Sequence, residues 1–293
     1  MMKMNKEISI KPLGKRSSLW GEGPIWWKDH LYYVDIEGKA LIELEPYEEK
    51  ERVWHFNQRI GCLSPTNSDD FLCAGDNGIF LFNPKNNQTK KIADPEKMMP
   101  ENRFNDGKCD TEGRFWAGTI SLKKIRGTAS LYCLGNDRSI EKKISSLTNS
   151  NGIAWSKNNK KFFHIDTPTK TIKSYIFNSS NASITLEKTL VDTQALGFDS
   201  SPDGMTIDDQ DRLWVAFCHG SCVASFDSIS GTLLCKIILP VSEVTSCTFG
   251  GKKMDRLFVT SGINKNIEEI NAGRIFVIDG LLAKGTVTNI YKI

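Results

Sequence analysis

Glu22, Asn105, Asp106, Asn151 and Asp203 are the residues of this sequence best placed to do chemistry, and all but Asn105 stand directly before a glycine. Glu22, Asn151 and Asp203 offer two carboxylates and one amide oxygen. Such hard oxygen donors suit Ca²⁺, Mg²⁺ or Mn²⁺, whereas zinc more often takes histidine or thiolate. Three protein ligands leave positions for water and substrate, as a catalytic centre requires. D-G and N-G are also ordinary turn dipeptides, so the case for a joint site rests on where these residues fall in a repeat. The densest polar cluster is Asn102-Arg103-Phe104-Asn105-Asp106-Gly107-Lys108. In it Arg103 presents a planar donor fork for hydroxyl, carbonyl or carboxylate oxygens, and Asn105 presents a donor and an acceptor together.

Other familiar chemistry is missing. The four histidines, His30, His55, His164 and His219, show no metal-ligand spacing, and there is neither a G-x-S-x-G elbow nor a phosphate-binding glycine loop. His219 begins a loop that could line a channel mouth. The eight cysteines lie far apart, mostly in apolar runs, and read as buried free thiols. Cys218 and Cys222 are four apart, but no second Cys or Cys/His pair nearby completes a zinc set, so a structural zinc is not expected.

The elements that position these residues come from an internal repeat. A polar or glycine start leads into an apolar run, then a short polar turn, then an aromatic-rich strand. The copies begin near positions 21, 61, 105, 151, 203 and 246, about 40–50 residues apart, the spacing of propeller blades. The third copy reads Asn105 to Cys109, a turn through Gly113, then Arg114-Phe115-Trp116-Ala117; the fifth reads Asp203 to Ile207, a turn from Asp208, then Arg212-Leu213-Trp214-Val215. Each copy continues into two more strand-like runs, which makes four strands per unit. The expectation is an all-β, six-bladed β-propeller over residues 1–293, with four antiparallel strands per blade and a central channel holding a metal. Residues that open the innermost strands then converge on one point, and Glu22, Asn151 and Asp203 occupy that phase. The tryptophans read as blade core, except Trp20, which precedes Glu22 and could wall a pocket.

Composition narrows the partners. The chain has 293 residues, 39% hydrophobic and 25% charged, with a net charge of +3 and no basic stripe, so nucleic acid is not expected. The start, M-M-K-M-N-K-E-I-S-I, has no apolar signal region, and no run approaches the roughly 18 apolar residues of a membrane span. A cytoplasmic protein, monomeric or weakly homo-oligomeric and without membrane association, is the expectation.

Six motifs together resemble one family: G-E-G-P-I-W at Gly21, R-F-N-D-G-K at Arg103, N-G-I-A-W-S at Asn151, S-P-D-G-M-T-I-D at Ser201, L-W-V-A at Leu213 and T-S-C-T-F-G-G at Thr245. From about Trp20 to about Tyr291 the chain is similar to the senescence-marker-protein/gluconolactonase family, which includes regucalcin and bacterial sugar lactonases. The resemblance implies a six-bladed propeller, one divalent cation (Ca, Mg, Mn, Zn or Fe) and hydrolysis of a sugar lactone. It carries the metal ligands onto Glu22, Asn151 and Asp203, and substrate contacts onto Arg103 and Asn105, with Asp106 in a supporting role. One departure stands out. Regucalcin-like members carry acidic residues shortly after the Gly-Thr of the third blade, but here Gly118-Thr119 runs into Ile120-Ser121-Leu122-Lys123-Lys124. That bears on sugar preference rather than on reaction type.

On this reading Asp203 is the general base that takes a proton from the attacking water. The alternatives are a related metal-dependent esterase or organophosphate hydrolase on the same scaffold, and a non-catalytic calcium-binding propeller.

Overall fold

The computed structural model describes residues 7–293, so the first six residues, on which part of the no-signal expectation rests, lie outside the described residues. The short runs rich in β-branched and aromatic residues all become strands. Twenty-four strands form six four-stranded sheets, every neighbouring pair antiparallel, and the only described helix is a single 3-10 turn at Thr167–Thr169. This is the six-bladed propeller expected from the repeat. Among the described residues no helix is long and apolar enough to cross a membrane.

Blades one to five each take four consecutive strands, from Gly21–Trp27 in blade one to Leu233–Ile238 in blade five. Blade six is composite. Val244–Gly250, Arg256–Ser261 and Ile275–Asp279 supply three strands, and Ser9–Leu13 supplies the outermost, paired from Ser9↔Asp279 to Leu13↔Ile275. The ring is therefore closed by the chain's own N-terminal strand. The sequence pattern did not reveal this strand, because S-I-K-P-L carries a lysine and a proline and buries only Leu13. Proline is tolerated there because an outer strand needs no donor on its free side.

One blade cannot bury both of its faces alone. Six apolar clusters fill the six gaps between neighbours. Val34 and Leu41 of blade one meet Ile60 and Cys73 of blade two, and across the closure Leu31 and Ile42 meet Phe258 and Val277 of blade six. The inner strands are buried almost throughout, while an outer strand such as Gln88–Ala93 is mostly exposed.

Two blades carry the same latch. Asp110 accepts the backbone N–H of Glu112 and Arg114, both at 3.0 Å, through Oδ1, and Arg114 Nε (2.7 Å) and Trp116 Nε1 (2.9 Å) through Oδ2. Asp208 makes the equivalent contacts with Gln210, Arg212 and Trp214. One carboxylate thus fixes a hairpin turn, neutralises an arginine and satisfies a buried indole. That is the physical content of the turn-R-x-W recurrence in copies three and five.

Every inner strand breaks register near its first residues. The shifts fall at Glu22/Ile25, Ile60/Cys62, Phe104/Gly107, Asn151/Ile153, Pro202/Met205 and Val244/Ser246. A β-bulge re-aims side chains and locally ends pairing, so the starts of all six inner strands, Glu22, Asn151 and Asp203 among them, are turned out of their ladders at one end of the ring.

Candidate active site

The bulges explain the glycines. At Gly152 a Cβ would stand 2.7 Å from the backbone oxygen of Asp203 and 2.6 Å from Met205 Cβ, so blades four and five approach at a distance only glycine allows. In blade two Gly61 fills the equivalent place, where a Cβ would lie 2.4 Å from the Asn105 carbonyl oxygen. The dipeptides that resemble turns are therefore bulges within strands.

The residues singled out in the sequence gather there in two connected groups. Glu22, Asp106, Asn151 and Asp203 are all buried. Asn151 Nδ2 donates to Asp203 Oδ1 and, at 3.1 Å, to Thr167 Oγ1. Glu22 Oε2 accepts the Gly23 N–H at 2.5 Å, and Asp106 Oδ1 accepts the Gly107 N–H at 2.7 Å. Burial raises the carboxyl of Glu22 well above its usual range, and the negative charges of Asp203 and Asp106 raise it further. Burial and then Asp106 do the same to Asp203, while the hydrogen bond from Asn151 partly offsets this. Asp106 is also raised by burial, with Lys108 opposing. Three carboxyl groups thus repel one another in one desolvated space.

Arg103 and Asn105 form the second group. Arg103 Nη1 donates to the Phe104 carbonyl (2.8 Å) and to Asn105 Oδ1 (2.9 Å), and Asn105 Nδ2 donates to Asn149 Oδ1 and the Ser150 carbonyl, both at 3.0 Å. Burial and the nearby Arg59 lower the Arg103 guanidinium to about 10, and its charge is felt by Asp203. The electrostatics place Asp106 with the carboxylates rather than with this donor pair.

The donor set fits a hard cation. Asn151 Oδ1 and Asp106 Oδ2 are buried acceptors without a hydrogen-bond partner, and buried acceptors are rarely left so. Two orphaned oxygens beside mutually repelling carboxylates make an environment that a small oxygen-seeking cation would satisfy.

His164 supports the site from behind. Its Nε2 lies 2.9 Å from Ser150 Oγ, next to Asn151. Burial, then Lys173, lower His164 from 6.5 to about 3. The folded protein therefore keeps it neutral, while the unfolded chain takes up a proton below about pH 6.5. Stability should fall as pH drops from there towards 3, by at most about 1.4 kcal/mol per pH unit from this group. Urea unfolding at pH 7 and pH 5 should show a shallower pH loss for His164→Asn than for the wild type; equal losses would mean that His164 is already protonated in the fold.

Several residues here escaped sequence reasoning. Lys108 sits in R-F-N-D-G-K, yet nothing in the pattern showed that its Nζ reaches blade five to donate to the Met205 carbonyl. Trp20 is partly buried, packed on the core between blades one and two and against Gly262. The sequence pairs Cys218 with no second Cys or Cys/His pair, but it does not show which distant residues fold against it. Glu243, distant in sequence, folds against Cys218 and His219, with ligand atoms all within 4.8 Å of one another. A cavity of about 310 Å³ opens at the other end of the channel, between the inner-strand ends and residues 286–289. None of Glu22, Asn151 or Asp203 lines it, so the candidate site rests on donor chemistry rather than on volume.

Comparison with known proteins finds relatives along most of the chain. The model of the SMP-30/gluconolactonase/LRE-like region matches residues 20–263. The chain is 34% identical over 266 residues to the "Putative sugar lactone lactonase YvrE" of Bacillus subtilis, covering 87% of this chain and 89% of that protein. It is 31% identical over 277 residues to regucalcin of Xenopus laevis, covering 90% and 92%. A solved structure of a luciferin-regenerating enzyme superposes with a TM-score of 0.92 at 27% identity, covering 98% of this chain and 100% of that one.

Proposed function

The chain belongs to the SMP-30/gluconolactonase/LRE-like family, and from that premise we propose that it is a hydrolase that opens a sugar lactone to the aldonic acid, with one divalent cation held by Glu22, Asn151 and Asp203. The observation that carries the reading is the buried group of three repelling carboxyls beside the partnerless Asn151 Oδ1. When bound, the cation polarises the lactone carbonyl as a Lewis acid and offsets the shared negative charge.

The chain's own residues do the rest. Arg103 donates to the sugar's hydroxyl oxygens and Asn105 Oδ1 accepts from a sugar hydroxyl, the guanidinium fork fixed by its bonds to Asn105 and the Phe104 carbonyl. Asp203 takes a proton from water as the oxygen forms a bond to the carbonyl carbon, and returns it to the ring oxygen as the acyl C–O bond breaks. Water is thereby added across the ester. The stretch after Thr119 contributes no carboxylate; Thr119 is instead bonded to Glu96, and Ser121 caps Ile125 N–H. The sugar is then read mainly by Arg103 and Asn105.

A pH-stat assay over a panel of aldonolactones, repeated with Ca²⁺, Mg²⁺, Mn²⁺, Zn²⁺ and Fe²⁺, tests this. Turnover of a sugar lactone that a chelator abolishes is expected. Turnover of a phosphotriester alone would move the activity to a related hydrolase, and cation binding with no turnover at all would make the protein a binding propeller.

Glu22→Gln separates the roles of charge and ligand. In chelator the variant should be no less stable than the wild type, because one of three repelling carboxyls is gone. Its stabilisation by Ca²⁺ or Mn²⁺ should shrink, because the amide oxygen that remains is neutral, where the wild type gains about 2.7 kcal/mol at a cation concentration 100 times Kd. Equal cation-dependent shifts in melting temperature for both proteins would remove Glu22 from the ligand set.

A further inference from the structure

Beside the axial site, at the junction of blades five and six, lies a second constellation. Cys218 ends the strand Arg212–Cys218, His219 follows in the turn with φ of 61°, and Glu243 immediately precedes the inner strand Val244–Gly250. A backbone bridge joins Cys218 to Glu243. Cys218 Sγ donates to Glu243 Oε2 at 3.0 Å, and His219 Nδ1 lies 2.8 Å from Glu243 Oε1. The carboxylate also accepts Asn264 Nδ2 at 2.7 Å and the His219 N–H at 3.3 Å. Cys218 pairs with Ser201, two residues from Asp203, which puts the group at the same end of the channel as the carboxylates.

We propose that Cys218, His219 and Glu243 form a second cation site, selective for a zinc-class divalent metal and distinct from the oxygen site at the axis. Thiolate, imidazole and carboxylate are the three protein donors zinc uses, and calcium, which seeks six to eight oxygens, finds too few here. The donor atoms all lie within 4.8 Å of one another, and bonds of about 2.0–2.3 Å to zinc would draw them to roughly 3.3–3.6 Å. Cys218 and Glu243 are buried and His219 is exposed, so the open side faces solvent, where a fourth ligand enters. Asn264 orients the carboxylate from outside the donor set, as second partners commonly do in metal sites. Binding displaces the thiol proton to solvent, since only the thiolate ligates. Neither Cys218 nor His219 has a part in lactone opening, so the inference does not depend on that reaction.

Cobalt titration of the metal-free protein tests it. The expected result is a sulfur-to-cobalt charge-transfer absorption that saturates with a single equivalent. Zn²⁺ should displace it, Ca²⁺ should not, and Asp203→Asn should leave it intact. Cys218→Ser should abolish the band, and Asn264→Ala, which keeps all three donors, should weaken cobalt binding about 10–100-fold. Absence of the band in the folded wild type, its survival in Cys218→Ser, or its displacement by Ca²⁺ would overturn the proposal.

Discussion

Asp203→Asn should lower kcat for lactone opening by about 10²–10⁴ while the cation stays bound. The asparagine keeps an oxygen where Oδ1 accepts Asn151 Nδ2, so a ligand atom remains, but it can no longer take a proton from water. The loss corresponds to roughly 2.7–5.4 kcal/mol of transition-state stabilisation. KM should change little, because Arg103 and Asn105 do the orienting, so kcat and kcat/KM should fall together. The fold should not suffer, since the substitution removes one of the carboxyls whose repulsion raises Glu22. Initial rates by pH-stat, with cation affinity measured on the same samples, decide it. A variant that binds the cation and turns over at the wild-type rate would take the base role from Asp203.

A second large effect is expected far from the chemistry. Asp110→Ala should destabilise the protein by about 3–5 kcal/mol, the cost of breaking a buried ion pair from one side. Asp110 is fully buried and serves two backbone N–H groups, the Arg114 guanidinium and the Trp116 indole. Alanine leaves all of these without their acceptor in the interface between blades three and four, where Trp116 packs on Trp155 and Phe162. Asp110→Asn, which keeps an oxygen for the turn but loses the charge, should fall between. Denaturant unfolding measures both. A loss below about 1 kcal/mol, typical of a surface pair, would mean that the latch is solvated.

These two residues show what the sequence makes legible. Asp203 could be found because its glycine is obligatory: a Cβ at Gly204 would stand 2.4 Å from Ser246 Cβ. The bulge that re-aims the Asp203 side chain therefore leaves a mark at the same phase in several copies. Asp110 left a weaker mark. The turn and the R-x-W after it were visible, but a single aspartate before a turn looks like any turn former until its four partners are seen. The N-terminal strand and the residues 285–291 that cross the far end of the ring were hidden for another reason. Their contacts are non-local and largely polar, such as Thr288 Oγ1 to the Trp26 carbonyl and Asn289 Nδ2 to the Cys109 carbonyl. They therefore show no apolar period. Glu243 belongs with them, since only ring geometry brings it to Cys218 and His219.

Anomalous diffraction from crystals soaked in Mn²⁺ tests the central claim most directly. A hard cation should give a peak at the channel axis bonded to Glu22, Asn151 and Asp203, and that peak should vanish in Glu22→Ala, which removes the donor oxygen. Manganese bound only elsewhere, or an axial peak that these three oxygens do not reach, would contradict it.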